Sequence, residues 1–181
     1  MRTLNAQDRA LVVLLPKRLW PAINIWRREH DPNYGLVLPH ITVAYPPFVP
    51  EEQWSRLRPG LRQCLGRFHP FRVLLHGLGT FENDSHVLWL QVRDGGHLSR
   101  IRAALMHCSP EHVPPLPFGY VPHVTIGVFQ SRSELEQMQE AMGSQVRPRF
   151  FTVRHLTYLS PGEDGVWSVC RHIPLGMRDE R

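Results

Sequence analysis

Pro39-His40-Ile41-Thr42-Val43 and Pro122-His123-Val124-Thr125-Ile126 decide how this chain folds. They are one pentapeptide written twice with conservative exchanges. In a chain holding 11 histidines and six threonines, a lone His-x-Thr arises by chance about 0.4 times. Requiring proline in front and Ile or Val after each polar residue lowers the expectation to below about 0.01. Two such stretches, 83 positions apart in a chain of 181 residues, carry information that one would not.

β-Branched residues alternating with His and Thr read as strands, in which successive side chains point to opposite faces. Each pentapeptide therefore places an imidazole and a hydroxyl on one face and anchors two aliphatic groups behind it. Two such faces meeting across one cleft suit a phosphodiester. One imidazole takes a proton from the attacking group while the other protonates the leaving oxygen. The hydroxyls donate to the non-bridging oxygens as charge grows there. An unperturbed imidazole pKa of about 6.5 fits histidine for both jobs. This chemistry calls for no metal and no cofactor.

Outward from the motifs, short strands alternate with helices. Residues 9–15 read as a buried strand, and 17–30 as a helix with Leu19, Ile23 and Trp26 on one face. Residues 38–44 form the first motif strand. Residues 51–68 read as a helix burying Trp54, Leu57, Leu61 and Leu65, with a kink or break expected at Pro59-Gly60. Residues 71–78 and 86–93 form a hairpin turning through Asn83-Asp84-Ser85. A helix over 97–107 precedes the second motif strand, 121–128. Ser131-x-x-Glu134 has capping-box spacing and opens a helix over 133–142. Residues 150–159 and 166–173 close with a second hairpin around 162–165. Each half thus runs motif strand, helix and hairpin, with Phe71-x-Val73 echoed by Phe151-x-Val153 and Trp89 by Trp167. The order predicts an α+β fold made by duplication. Residues 1–181 read as a single domain of two pseudo-symmetric lobes, each carrying one His-x-Thr.

Composition bounds the partners. The longest apolar run, Ala10 to Leu15, is far shorter than the roughly 20 residues that span a bilayer. No membrane partner and a cytoplasmic location are expected. Cys64, Cys108 and Cys170 are odd in number and widely spaced, which excludes a disulfide framework. The formal charge is +5, and Lys17 is the one lysine among 21 basic residues. Arginine's planar fork suits phosphate and base stacking, although GC-rich codon usage produces the same bias. Residues 109–119, rich in proline, read as a substrate-side loop or a connection between lobes.

The paired pentapeptides, their spacing and the duplicated layout resemble the two-histidine (2H) phosphoesterase superfamily, in particular its bacterial 2′-5′ RNA ligase-like members. The flanking Ala44-Tyr45-Pro46 and Gly127 take part in the likeness. The resemblance implies a bilobal fold of two antiparallel sheets flanking a central cleft, with helices outside. It implies opening of RNA 2′,3′-cyclic phosphate ends to 2′-phosphates, or their reversible 2′-5′ joining to a 5′-hydroxyl. Carried over, His40 is the proton donor, His123 the proton acceptor, and Thr42 and Thr125 hold the phosphate. Many of these ligase-like proteins carry an arginine shortly after the second motif. Here the segment reads Gly127-Val128-Phe129-Gln130, and the nearest arginine is Arg132. The run 44–48 also resembles a less characterised branch of the superfamily.

Beside the motifs, Tyr45, Phe48 and Tyr120 are candidates to stack a base, with packing at the rim or in the core as the alternative. Trp89 and Trp167 read as core. His107, Cys108 and His112 lack a fourth ligand for zinc. His155 and His172 read as structural or exposed, and Arg56, Arg58, Arg62 and Arg67 as the wet face of a helix or an RNA-backbone track. Two rival functions stand beside the RNA reading: a cyclic phosphodiesterase for a small nucleotide metabolite, and a non-catalytic RNA-end binder. A monomer satisfies all three.

Overall fold

The computed structural model describes residues 9–81 and 86–176. The expected turn at 83–85 lies outside them. In chain order the elements are β1 (Ala10–Leu14), a 3₁₀ turn (Lys17–Leu19), α1 (Trp20–His30), β2 (His40–Ala44), α2 (Glu51–Gly66), β3 (Phe71–Thr80), β4 (Val87–Arg93) and α3 (His97–Cys108). They continue with β5 (His123–Val128), α4 (Arg132–Gly143), β6 (Arg149–Val153), β7 (His155–Pro161) and β8 (Trp167–Pro174).

Local chemistry sets the element ends. Pro21 opens α1, where its missing N–H costs nothing. Ser131 Oγ accepts from the Glu134 N–H at 3.2 Å, while Glu134 reaches back to the Gln130 N–H at 3.0 Å, one residue beyond a standard capping box. The Asp94 carboxylate accepts from Gly96 and Leu98 at 3.0 and 2.6 Å and caps α3. α2 runs unbroken through Pro59, against expectation. Ser55, whose carbonyl loses its helical partner there, and Pro59 are both exposed, so that carbonyl is not sealed in the core, while buried Trp54, Leu61 and Leu65 hold both halves of the helix to the core.

Two four-stranded sheets form, in the orders β2-β1-β7-β8 and β5-β4-β3-β6, with antiparallel pairing throughout. Each places a motif strand at its edge. The halves of the sequence are not the sheets. The β3–β4 hairpin, which follows the first motif, pairs with the second motif strand, and β7–β8 joins the first. Residues 150–159 are accordingly two strands: β6 pairs with β3, Arg154 follows, and β7 enters the other sheet. The two Phe-x-Val copies face one another as neighbours, Phe71 opposite Val153 and Val73 opposite Phe151.

The helices cross in the same way. α1, which leads into the first motif, packs on β5, whereas α3, which leads into the second, packs on β2. Gly127 permits the first crossing: a Cβ there would lie 2.9 Å from His30 Cβ. A continuous core drawn from both sheets and all four helices includes Leu11, Ile41, Leu65, Ile101, Ile126 and Tyr158. Four buried residues outside it, Ala10, Val12, Leu159 and Trp167, form a smaller cluster on the opposite face of the first sheet.

Candidate active site

That opposite face carries the site. Ile41 and Val43 are fully buried in the main core, so alternation turns His40 and Thr42 the other way. Val124 and Ile126 do the same for His123 and Thr125 on β5. β2 and β5 touch, and one cavity of about 260 Å³ is lined by His40, Thr42, His123 and Thr125 together. Residues 83 positions apart are brought to one space.

Both imidazoles are held alike. His40 Nδ1 donates to the Leu38 carbonyl at 2.7 Å, and His123 Nδ1 to the Val121 carbonyl at 2.8 Å. A carbonyl only accepts, so each neutral ring keeps its proton on Nδ1 and leaves the Nε2 lone pair for a substrate. Burial pushes the His40 pKa down to about 4, and the Arg27 guanidinium and the His123 imidazole push in the same direction. The Leu38 bond and Asp31 oppose them. His123 is also lowered, chiefly by burial, with the Val121 bond opposing. Phe81 meets the His123 ring edge-on, with 5.0 Å between centroids, and Trp89 lies 5.8 Å from it.

Around the edge strand, Tyr120 Oη donates to the Thr42 carbonyl at 2.8 Å. Arg102, buried on α3, donates to Val43 at 2.7 Å and to Pro114 in the proline-rich loop at 2.9 Å. These bonds cover carbonyls of β2 and tie that loop to the motif. Burial raises the Tyr120 phenol pKa far above its ordinary value, so the hydroxyl stays a donor.

Two expected contacts fail. Phe48 is 1% exposed, packed edge-on to Tyr158 in the main core, and presents no face to a base. Tyr45 is half-buried with Arg102 5.9 Å from its ring centroid, and it is not among the residues lining the cavity. Trp89 and Trp167 are buried as expected, yet both border the site, Trp167 as part of the cavity wall. Arg132 pairs with Glu136 at 2.7 Å on the exposed face of α4.

The sequence reading missed Arg27 and Asp31. Both line the cavity, 3% and 7% exposed, joined by a 2.7 Å Nε–Oδ2 ion pair. Arg27 also donates to the Val37 carbonyl at 2.7 Å, and Asp31 Oδ1 accepts from the Asn33 N–H at 2.9 Å. A signal was available: Leu19, Ile23 and Arg27 continue one stripe at four-residue spacing, with Asp31 four further on. An arginine on a buried stripe needs a partner.

Among the described residues, no group of three His, Cys, Asp or Glu side chains is placed to hold a metal ion, and no helix is long and apolar enough to cross a membrane. The three cysteines are free.

Two four-stranded antiparallel sheets and four helices, with a His-x-Thr on an edge strand of each sheet, define a two-histidine protein. The 2′-5′ RNA ligase superfamily profile matches residues 15–165, and the chain belongs to that family. A Geobacillus kaustophilus protein named "Putative phosphoesterase" is 27% identical over 93% of this chain and 96% of its own length. A Bacillus cereus protein of the same name is 29% identical over 92% and 95%. Among solved structures, E. coli LigT complexed with 3′-AMP superimposes with a TM-score of 0.67 at 17% identity, covering 96% of this chain and 100% of that one. A Thermus thermophilus protein gives 0.67 at 18% identity, covering 94% and 100%. These likenesses show the fold.

Proposed function

We propose that this chain is a phosphoesterase that opens 2′,3′-cyclic phosphate ends of RNA to 2′-phosphates, the same site joining such ends reversibly in 2′-5′ linkage when a 5′-hydroxyl takes the place of water as the attacking group. The observation that carries the reading is the single cavity lined by His40, Thr42, His123 and Thr125. His123 Nε2 takes a proton from water, the water oxygen bonds to phosphorus, and the bond from phosphorus to O3′ breaks. His40 supplies a proton to that oxygen. Thr42 and Thr125 donate to the non-bridging oxygens, and Arg27 places positive charge nearby.

His40 enters this scheme as a proton donor although burial pushes its pKa down to about 4. The substrate itself resolves this, because a phosphodiester anion beside the ring favours the imidazolium. The family match and the phosphoesterase names of the relatives support the class of reaction. Incubation with oligonucleotides ending in 2′,3′-cyclic phosphate, followed by locating the product phosphate, tests it. A 2′-phosphate is expected, and an untouched cyclic end overturns the reading.

The cavity, at about 260 Å³, lies just below the roughly 300–1,000 Å³ of ligand sites. That favours, as the second reading, a small cyclic nucleotide. Equal turnover of mononucleotide and oligonucleotide selects it. A non-catalytic RNA-end binder is selected instead by salt-dependent binding that survives loss of both histidines without turnover.

A further inference from the structure

β7 carries a third His-x-Thr, His155-Leu156-Thr157, with no proline before it. Its placement makes it more than a chance match. Val12 of β1 is paired on one side with Thr42 and on the other with Thr157, so the two threonines stand in one row across three strands. β2 and β7 are both antiparallel to β1, so the two His-x-Thr segments run in the same direction. Leu156 and Tyr158 are buried in the main core, which turns His155 and Thr157 to the face that bears His40 and Thr42. At strand spacing, the rows lie roughly 10 Å apart.

The chemistry around this copy differs from that of the motifs. Thr157 is fully buried and its Oγ1 is 3.1 Å from His172 Nδ1, so it orients an imidazole instead of meeting solvent. The His155 and His172 rings lie 4.4 Å apart. They line a separate cavity of about 420 Å³ together with Lys17, Arg154 and Trp20, and among the described residues no carboxylate lines it. Leu38, whose carbonyl orients His40, lines it as well.

We infer that this basic cavity is a second phosphate subsite, which holds the backbone of the RNA strand one or more nucleotides away from the end being processed. It rests on the reading of the His40/His123 cavity as a phosphoesterase site and adds to it a preference for polynucleotide ends. Two cations and two imidazoles with no carboxylate in the cavity wall suit a phosphate, and Trp20 offers an indole beside it. The separation of the two rows is within reach of neighbouring phosphates of one strand.

Binding decides the matter independently of turnover. The probes are a short oligoribonucleotide ending in a 2′-phosphate and the matching nucleoside 2′-phosphate, titrated by calorimetry against the full chain. Wild type is expected to bind the longer probe about tenfold more tightly, with a steeper salt dependence. Lys17→Gln/His155→Ala is expected to lose that advantage, and Arg154→Gln, an exposed exchange that leaves the His155–His172 pair in place, to lose part of it. Equal affinity of wild type for both probes overturns the subsite. So does an advantage that survives in both variants while their melting curves match wild type. Absent turnover of cyclic ends, with the binding advantage present, counts against the catalytic reading alone.

Discussion

His40 and His123 are oriented by the same contact: each Nδ1 donates to the carbonyl two residues before it, Leu38 at 2.7 Å and Val121 at 2.8 Å. The equivalence follows from the repeated Pro-His, which ends the preceding loop and begins the strand at the same register. It leaves two Nε2 atoms as the free ring nitrogens of one cavity, the arrangement that paired proton transfer needs.

Replacing either ring should therefore stop turnover without unfolding the protein. His40→Ala and His123→Ala are each expected to lower kcat by about 10²–10⁴, with thermal melts close to wild type. Thr42→Val and Thr125→Val should lower it less, by about 10- to 100-fold. Full turnover by either histidine variant would contradict the two-imidazole mechanism.

Anion binding should take up a proton. Burial pushes the His40 pKa down to about 4 and lowers that of His123 as well, so both rings are neutral at pH 7. A bound phosphate raises these values, so affinity for a nucleoside 2′-phosphate should weaken as pH rises from about 4 through the pKa of the complex. Calorimetry in buffers of different ionisation enthalpy measures the uptake, and a buffer-independent heat would refute it.

The same depression has a sign in folding. Between pH 6.5 and about 4 the unfolded chain binds a proton at His40 that the folded chain does not, so stability is lost as pH falls through that window. His40→Gln should lose less stability over this range. Urea titrations at several pH values read the difference, and parallel curves for variant and wild type would count against it.

Asp31→Ala should strand the Arg27 charge in the cavity wall. Removing one partner of a buried pair costs about 3–5 kcal/mol, and loss of the opposing carboxylate should depress His40 further. Denaturation near neutral pH measures the first and an NMR titration of the His40 ring the second. An unchanged midpoint would show that Arg27 does not depend on this pair.

Gly79→Ala probes the wall behind His123. A Cβ at Gly79 would lie 2.4 Å from the Trp89 ring, which is itself 5.8 Å from the His123 ring. Overpacking of this kind costs about 1–3 kcal/mol, and activity should fall with stability as the indole beside His123 is displaced. A variant as stable and active as wild type would mean that Trp89 has room to move.

Chelation should leave turnover intact, because both proton transfers are assigned to imidazoles. Activity that disappears on treatment with EDTA and returns with a divalent cation would replace this mechanism with a metal-assisted one.

Much of this architecture was legible in the chain. Alternation in the two pentapeptides determined that His40, Thr42, His123 and Thr125 stand on strand faces with their aliphatic neighbours buried, since period-two patterning reports which way each side chain points. Ser131 and Glu134 marked a helix start because capping is a contact between near neighbours. Strand partnership is different: it depends on pairing between distant segments. Only the tertiary structure sent the β3–β4 hairpin to the second motif and β7–β8 to the first, divided 150–159 at Arg154, and put Phe48 inside the core. It also placed Arg27 in the wall of the cavity that His40 and His123 share, because the helix leading into the first motif packs across the strand of the second. Local periodicity carries facing; long-range packing decides which faces meet.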